Sequence, residues 1–167
     1  QEPVKKQLVE MMESNRLAHA LLFLGKEGSG ALQLAIAFAQ YVVCEKTGGK
    51  QSTVTSQQSG SSLFGDEPVT GNQQPATSND SCGICSGCKK ANDLVHPDIH
   101  FSYPVVTKKS GTPPISTDYI TEWREFIKGH TYGNVYDWLQ FIGAENKQGN
   151  ITAHECNDII KKLSLKS

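Results

Sequence analysis

Three cysteines fall within seven residues of this chain, in Cys82-Gly-Ile-Cys85-Ser-Gly-Cys88, and a fourth, Cys44, precedes them. Small residues between the thiols let the backbone turn tightly enough for successive sulfurs to converge. Four sulfurs close a tetrahedron around a metal ion. Two-residue gaps favour metal over disulfides in a chain that opens without a charged–apolar–small signal segment. The 37 residues between Cys44 and Cys82 are no obstacle. Widening a closed loop from about ten residues to that length costs roughly 1 kcal/mol, whereas a structural zinc contributes on the order of 10 kcal/mol. Cys44, Cys82, Cys85 and Cys88 are therefore read as ligands of a structural Zn2+ with no open position for catalysis. His96 or His100 in place of one cysteine is an alternative. So is a buried Cys44 beside three thiols that hold metal weakly or not at all. Cys156, on an apolar helix face, is read as a core thiol.

The rest of the chain divides by pattern. Pro3 suits the first turn of a helix, and Val4, Leu8 and Met11 or Met12 recur at helical spacing up to Ser14. Ala18 to Leu24 is a short continuous apolar run, the signature of a strand buried on both faces, with His19 inside it as a core histidine. A glycine-rich turn follows from Gly25 to Gly30. Ala31 to Cys44 is apolar almost all round, a helix lying against a sheet. A strand is expected from Asp98 to Tyr103. Ser116 or Thr117 caps a helix carrying Tyr119, Ile120, Trp123, Phe126 and Ile127. A further helix carries Val135, Trp138, Leu139 and Ile142. Thr152 caps the last, with Cys156, Ile159, Ile160 and Leu163 inward. Strands alternating with helices imply an α/β sheet with at least one parallel crossover.

Composition sets the exclusions. Of the 36 residues from 46 to 81, 26 are Ser, Thr, Gln, Asn, Gly or Pro. Such a segment cannot bury enough surface to offset its ordering entropy, so it reads as a disordered insertion. Lys+Arg 16 against Asp+Glu 17 leaves no basic field to drive DNA binding by charge. No apolar run reaches the length of a membrane span. The chain reads as cytoplasmic, and its Gln1-Glu-Pro opening reads as a piece of a longer protein.

The glycine turn is informative for what it lacks. The phosphate-loop pattern G-x-x-x-x-G-K-[ST] aligns with Gly25-Lys-Glu-Gly-Ser-Gly30-Ala31-Leu32. Ala31 replaces the lysine that would reach the phosphates, and Leu32 replaces the hydroxyl that would hold Mg2+. Gly25, Gly28, Ser29, Gly30 and Ala31 thus form a degenerate loop. It can offer backbone amides to an anion but cannot neutralise a phosphoryl-transfer transition state. A plain strand–helix turn is the competing reading.

Taken together, Asn15 to Gly25, the glycine loop, the helix ending in Cys44, the Cys82–Cys88 cluster and His96-Pro97-Asp98 resemble the AAA+ subunits of the bacterial DNA polymerase III clamp loader. The resemblance covers residues 1–44 and 81–103, and it resumes from about 148. It implies an α/β fold: the N-terminal part of an AAA+ P-loop domain, a parallel sheet flanked by helices. A small zinc module spans 44–88, and a lineage-specific helical insertion spans 105–147. The missing lysine and hydroxyl place the chain with the delta-prime type, a non-hydrolysing stator that helps load the sliding clamp onto primed DNA. In that setting the four cysteines would be zinc ligands, ATP would not bind, and the partners would be the other subunits of a ring. An ATP-hydrolysing motor subunit of the gamma/tau type and an unrelated zinc-dependent nucleic-acid-binding module are the alternatives.

Overall fold

The computed structural model describes residues 2–47, 80–108 and 110–164. The expected polar insertion at 46–81 therefore lies almost wholly outside the described residues. Six α-helices form the frame: α1 (Glu2–Glu13), α2 (Ala31–Val43), α3 (Ser86–Asn92), α4 (Ile120–Gly129), α5 (Val135–Phe141) and α6 (Ala153–Ser164). A 3-10 turn, Ser116–Tyr119, runs directly into α4.

α1 ends where the sequence pattern breaks. Asn15 takes a left-handed conformation (φ 52). The amides of Asn15 and Arg16 then donate to the carbonyls of Met12 and Met11, closing orphan acceptors of the last turn as in a Schellman motif. α1 buries Leu8 and Val9 and packs against α2, which buries Tyr41. Lys5 Nζ reaches Asp80 Oδ2 at 2.8 Å and ties α1 to the approach to the cysteine cluster.

The expected parallel sheet is absent among the described residues. Their one β-pairing is an isolated antiparallel bridge between Val105 and Asn150. Residues 18–24 form no strand and have no partner strand among the described residues. Leu21 and Phe23 are half-buried, while Leu22 and Leu24 are 82% and 83% exposed. The alternation of a strand survives; the second strand that would hydrogen-bond to it does not lie alongside. For the same reason α2 is only half-covered despite its apolar sequence, and His19 is exposed rather than a core histidine. The strand expected at 98–103 also forms no ladder.

Residues 101–164 form a helical unit organised around aromatic rings. Tyr103 stacks on Trp123 with ring centroids 4.0 Å apart, and Trp138 meets both edge-on at 5.2 Å. Trp138 Nε1 donates to the Pro104 carbonyl at 2.7 Å, so this almost fully buried indole leaves no donor unpaired. α5 begins with a capping box: Asn134 accepts from the Asp137 amide, and Asp137 accepts from the Asn134 amide.

Three expectations fail here, each to a partner distant in sequence. Ser116 does not cap α4. Its hydroxyl donates to the Tyr103 carbonyl and accepts from the Tyr103 amide, while the Tyr103 hydroxyl donates to the Ser116 carbonyl at 2.7 Å. Thr117 turns instead toward Asp158. The buried Ser116 amide donates to Glu155 Oε2 at 2.6 Å, which draws Glu155 to 1% exposure. That contact rotates α6, so Cys156 faces solvent, and Ile160 and Leu163 are 64% and 67% exposed. Thr152 stands at the head of α6, but its hydroxyl donates to the Pro114 carbonyl.

Glu155→Ala is expected to strand the Ser116 amide and to destabilise the helical unit by about 1–3 kcal/mol. Glu155→Gln keeps an acceptor oxygen and should retain most of that stability. Chemical denaturation of the two variants checks the difference.

Candidate metal centre and glycine loop

The four clustered cysteines are brought together by two elements. Cys44 is the C-cap residue of α2, extended at φ -69 and ψ 126, which throws its side chain off the helix end. The other three lie on a turn and the start of α3. Gly83 supplies a left-handed residue (φ 69) between Cys82 and Cys85, where a side chain would be strained. Three of the four sulfurs accept an amide: Cys82 N donates to Cys44 Sγ, Cys85 N to Cys82 Sγ and Cys88 N to Cys85 Sγ, all at 3.4 Å. The last of these caps α3 with sulfur.

The four ligand atoms lie within 4.8 Å of one another, and Cys82 Sγ is 3.9 Å from Cys88 Sγ. Zinc–sulfur bonds of about 2.3 Å at tetrahedral angles place sulfurs about 3.8 Å apart. The residues present therefore fit a tetrahedral thiolate-bound ion, and soft sulfur donors favour zinc among divalent metals. The four cysteines can hold a metal ion with every coordination position filled by protein.

Electrostatics supports the same use. Burial opposes charge on Cys44, yet the amides of Cys82 and Lys46 and the neighbouring thiols outweigh it and bring the thiol down to about 6. Cys85 is also lowered: burial is again the largest influence and again overcome, here by the amide of Cys88. Cys88 is pushed up to about 12 by burial and by the sulfurs of Cys85 and Cys44. The thiols of Cys44 and Cys85 thus favour the thiolate form and that of Cys88 opposes it. A dication reverses that balance by neutralising the thiolates together.

The packing beneath the cluster is tight. Gly87 in α3 lies against the Val43 carbonyl at the end of α2, so a Cβ there would collide with backbone. Its amide donates to Glu45 Oε1 at 3.1 Å. The sequence pattern did not single out Gly87 or Glu45, because only the meeting of α2 and α3 gives them a role. His96 and His100 are outside the thiol group. His96 Nδ1 accepts the Asp98 amide at 3.2 Å, and both histidines line a separate cavity of about 230 Å3 with Arg124 and Lys162.

The glycine loop turns through two left-handed residues into α2. Gly28 and Gly30 are left-handed at φ 73 and 77, and Gly30 caps α2 without a side-chain hydrogen bond. Gly25, Gly28, Ser29, Gly30 and Ala31 line one open cavity of about 330 Å3. Its far wall comes from the helical unit, including Thr131, Tyr132, Asn134 and Tyr136. Ala31 presents a methyl where a phosphate-binding ammonium would stand. Lys26 lies on the loop, five residues before that position.

Gly87→Ala is expected to part α3 from α2 and to weaken metal retention. Metal content after dialysis against a chelator measures this; wild-type retention would contradict the close approach.

Comparison with known proteins covers part of the chain. Residues 1–65 match the model of the family described as DNA polymerase III, delta subunit. Over 101 residues, 60% of this chain, the sequence is 29% identical to DNA polymerase III subunit delta' of Bacillus subtilis (strain 168). The match covers 22% of that protein, so the chain spans well under half of its relative's length. No solved structure matches. No helix among the described residues is long and apolar enough to cross a membrane. The family match takes in α1, the glycine loop and α2 up to Cys44, and the chain is similar to a DNA polymerase III subunit delta'.

Proposed function

We propose that this chain is the N-terminal part of a non-hydrolysing delta-prime subunit, acting as a stator within the clamp loader that places the sliding clamp on primed DNA. The observation that carries the reading is the start of α2. The loop backbone is left-handed at Gly28 and Gly30 as an anion cradle requires, but Ala31 and Leu32 occupy the two chemical positions. A phosphoryl-transfer site works by neutralising charge with lysine and Mg2+. Backbone amides alone do not replace that neutralisation.

In this reading residues 1–167 are part of an AAA+ domain, and residues 18–24 are a strand of its parallel sheet. The unpaired backbone and exposed leucines of that segment support the assignment. The 44–88 module holds a structural zinc through Cys44, Cys82, Cys85 and Cys88, and 105–147 is a helical insertion. The partners are the other subunits of a hetero-oligomeric ring, with clamp and DNA reached through the complex.

Two measurements test this. The intact protein should show no Mg2+-dependent ATP hydrolysis above background. Turnover abolished by Lys26→Ala would overturn the stator reading in favour of a motor subunit. Metal analysis should find one zinc per chain, and Cys85→Ser should drop that stoichiometry and destabilise residues 81–103. Full zinc retention in Cys85→Ser would contradict a four-thiol site.

A further inference from the structure

We propose that Arg124, on the inserted helical unit, is a positioning residue for the metal site: it acts through α3 and couples metal binding to the docking of α4. The proposal rests on the metal-binding reading above.

α3 has seven residues, well short of the roughly 12–15 at which an isolated helix persists in water. It therefore depends on restraint at both ends. At its start the restraint is the sulfur network, since Cys85 caps the helix and Cys88 lies in its first turn. At its end the restraint is α4. Leu94, just past the helix, is left-handed at φ 57. Its carbonyl accepts from Arg124 Nε at 3.0 Å.

Two backbone hydrogen bonds in series join these ends. Lys89 N donates to Cys85 O, and Asp93 N donates to Lys89 O, both at 3.0 Å. One cysteine ligand is thereby linked to the residue next to the Arg124 contact. A second tie, Lys128 Nζ to Asp93 Oδ1 at 3.2 Å, is solvent-exposed on both sides and contributes little. Arg124 is half-buried, and its hydrogen bond is charge-assisted. Removing it frees the C-terminal end of α3, and the three ligands on and beside that helix lose their fixed spacing. By thermodynamic reciprocity, a residue whose docking is favoured by bound metal must itself favour metal binding.

The test is zinc affinity of the intact protein, measured by competition with a chelator. Arg124→Ala should still bind one zinc but roughly tenfold more weakly, the factor that one charge-assisted hydrogen bond represents at its weak end. Arg124→Lys restores a cationic donor and should fall between, and it serves as the folded comparison if the alanine variant does not fold. Glu155→Ala destabilises the same helical unit away from α3 and should leave zinc affinity unchanged. Equal affinity in wild type and either folded Arg124 variant overturns the proposal. So does an equal loss in Glu155→Ala, which would mark a general effect of instability. A wild-type protein that binds no zinc overturns the metal reading and this proposal with it, whereas one bound zinc with unmoved affinities overturns the coupling alone.

Discussion

Four sulfur atoms drawn into one small volume are the constraint on which the α2–α3 half of this molecule depends. Thiolates at such spacing repel one another, while burial raises the Cys88 thiol and neighbouring amides and thiols outweigh burial to lower that of Cys44. An ion that satisfies all four turns the repulsion into the main tie between the end of α2 and the start of α3. The surrounding structure is arranged for this. Successive amides point at successive sulfurs, and a glycine stands where α3 presses on α2. A seven-residue helix and a turn have little apolar surface of their own, so metal coordination would be the larger source of order there.

The helical unit from 101 to 164 uses different means. Its centre is a set of rings packed face-on and edge-on around Trp138, beside a buried polar cluster of Tyr103, Ser116 and Glu155. Burial holds the Tyr103 phenol well above its ordinary value, with the Glu155 carboxylate adding to the effect, so it remains a hydrogen-bond donor. The two halves meet at Arg124 and Leu94, where one charged side chain faces one backbone carbonyl.

Local chemistry was legible in the sequence, and tertiary consequences were not. Proline and a periodic apolar face marked α1, and the two-residue cysteine gaps marked the cluster. The helix assignments around Trp123 and Trp138 also hold. The orientation of α6 was hidden because Ile160 and Leu163 outrank a glutamate on any hydropathy argument, while the Ser116 amide that captures Glu155 lies 39 residues away. Ser116 misled for a related reason, since a helix-capping residue type found a stronger partner in Tyr103. The apolar run at 18–24 was read as a two-sided buried strand. Its composition describes such an environment, but pairing belongs to two segments at once and cannot be read from one. The wall that Tyr132 and Tyr136 give to the glycine loop was invisible for the same reason.

The segment 18–24 has an energetic consequence. Leu22 and Leu24 are each more than four-fifths in water, and full burial of a leucine side chain is worth about 1.5–3 kcal/mol. Any surface that covered these two leucines would therefore gain several kcal/mol of apolar burial. Exposed leucines in a segment with no ladder partner among the described residues also offer a foothold to any other extended chain, so the same two side chains make this stretch prone to self-association.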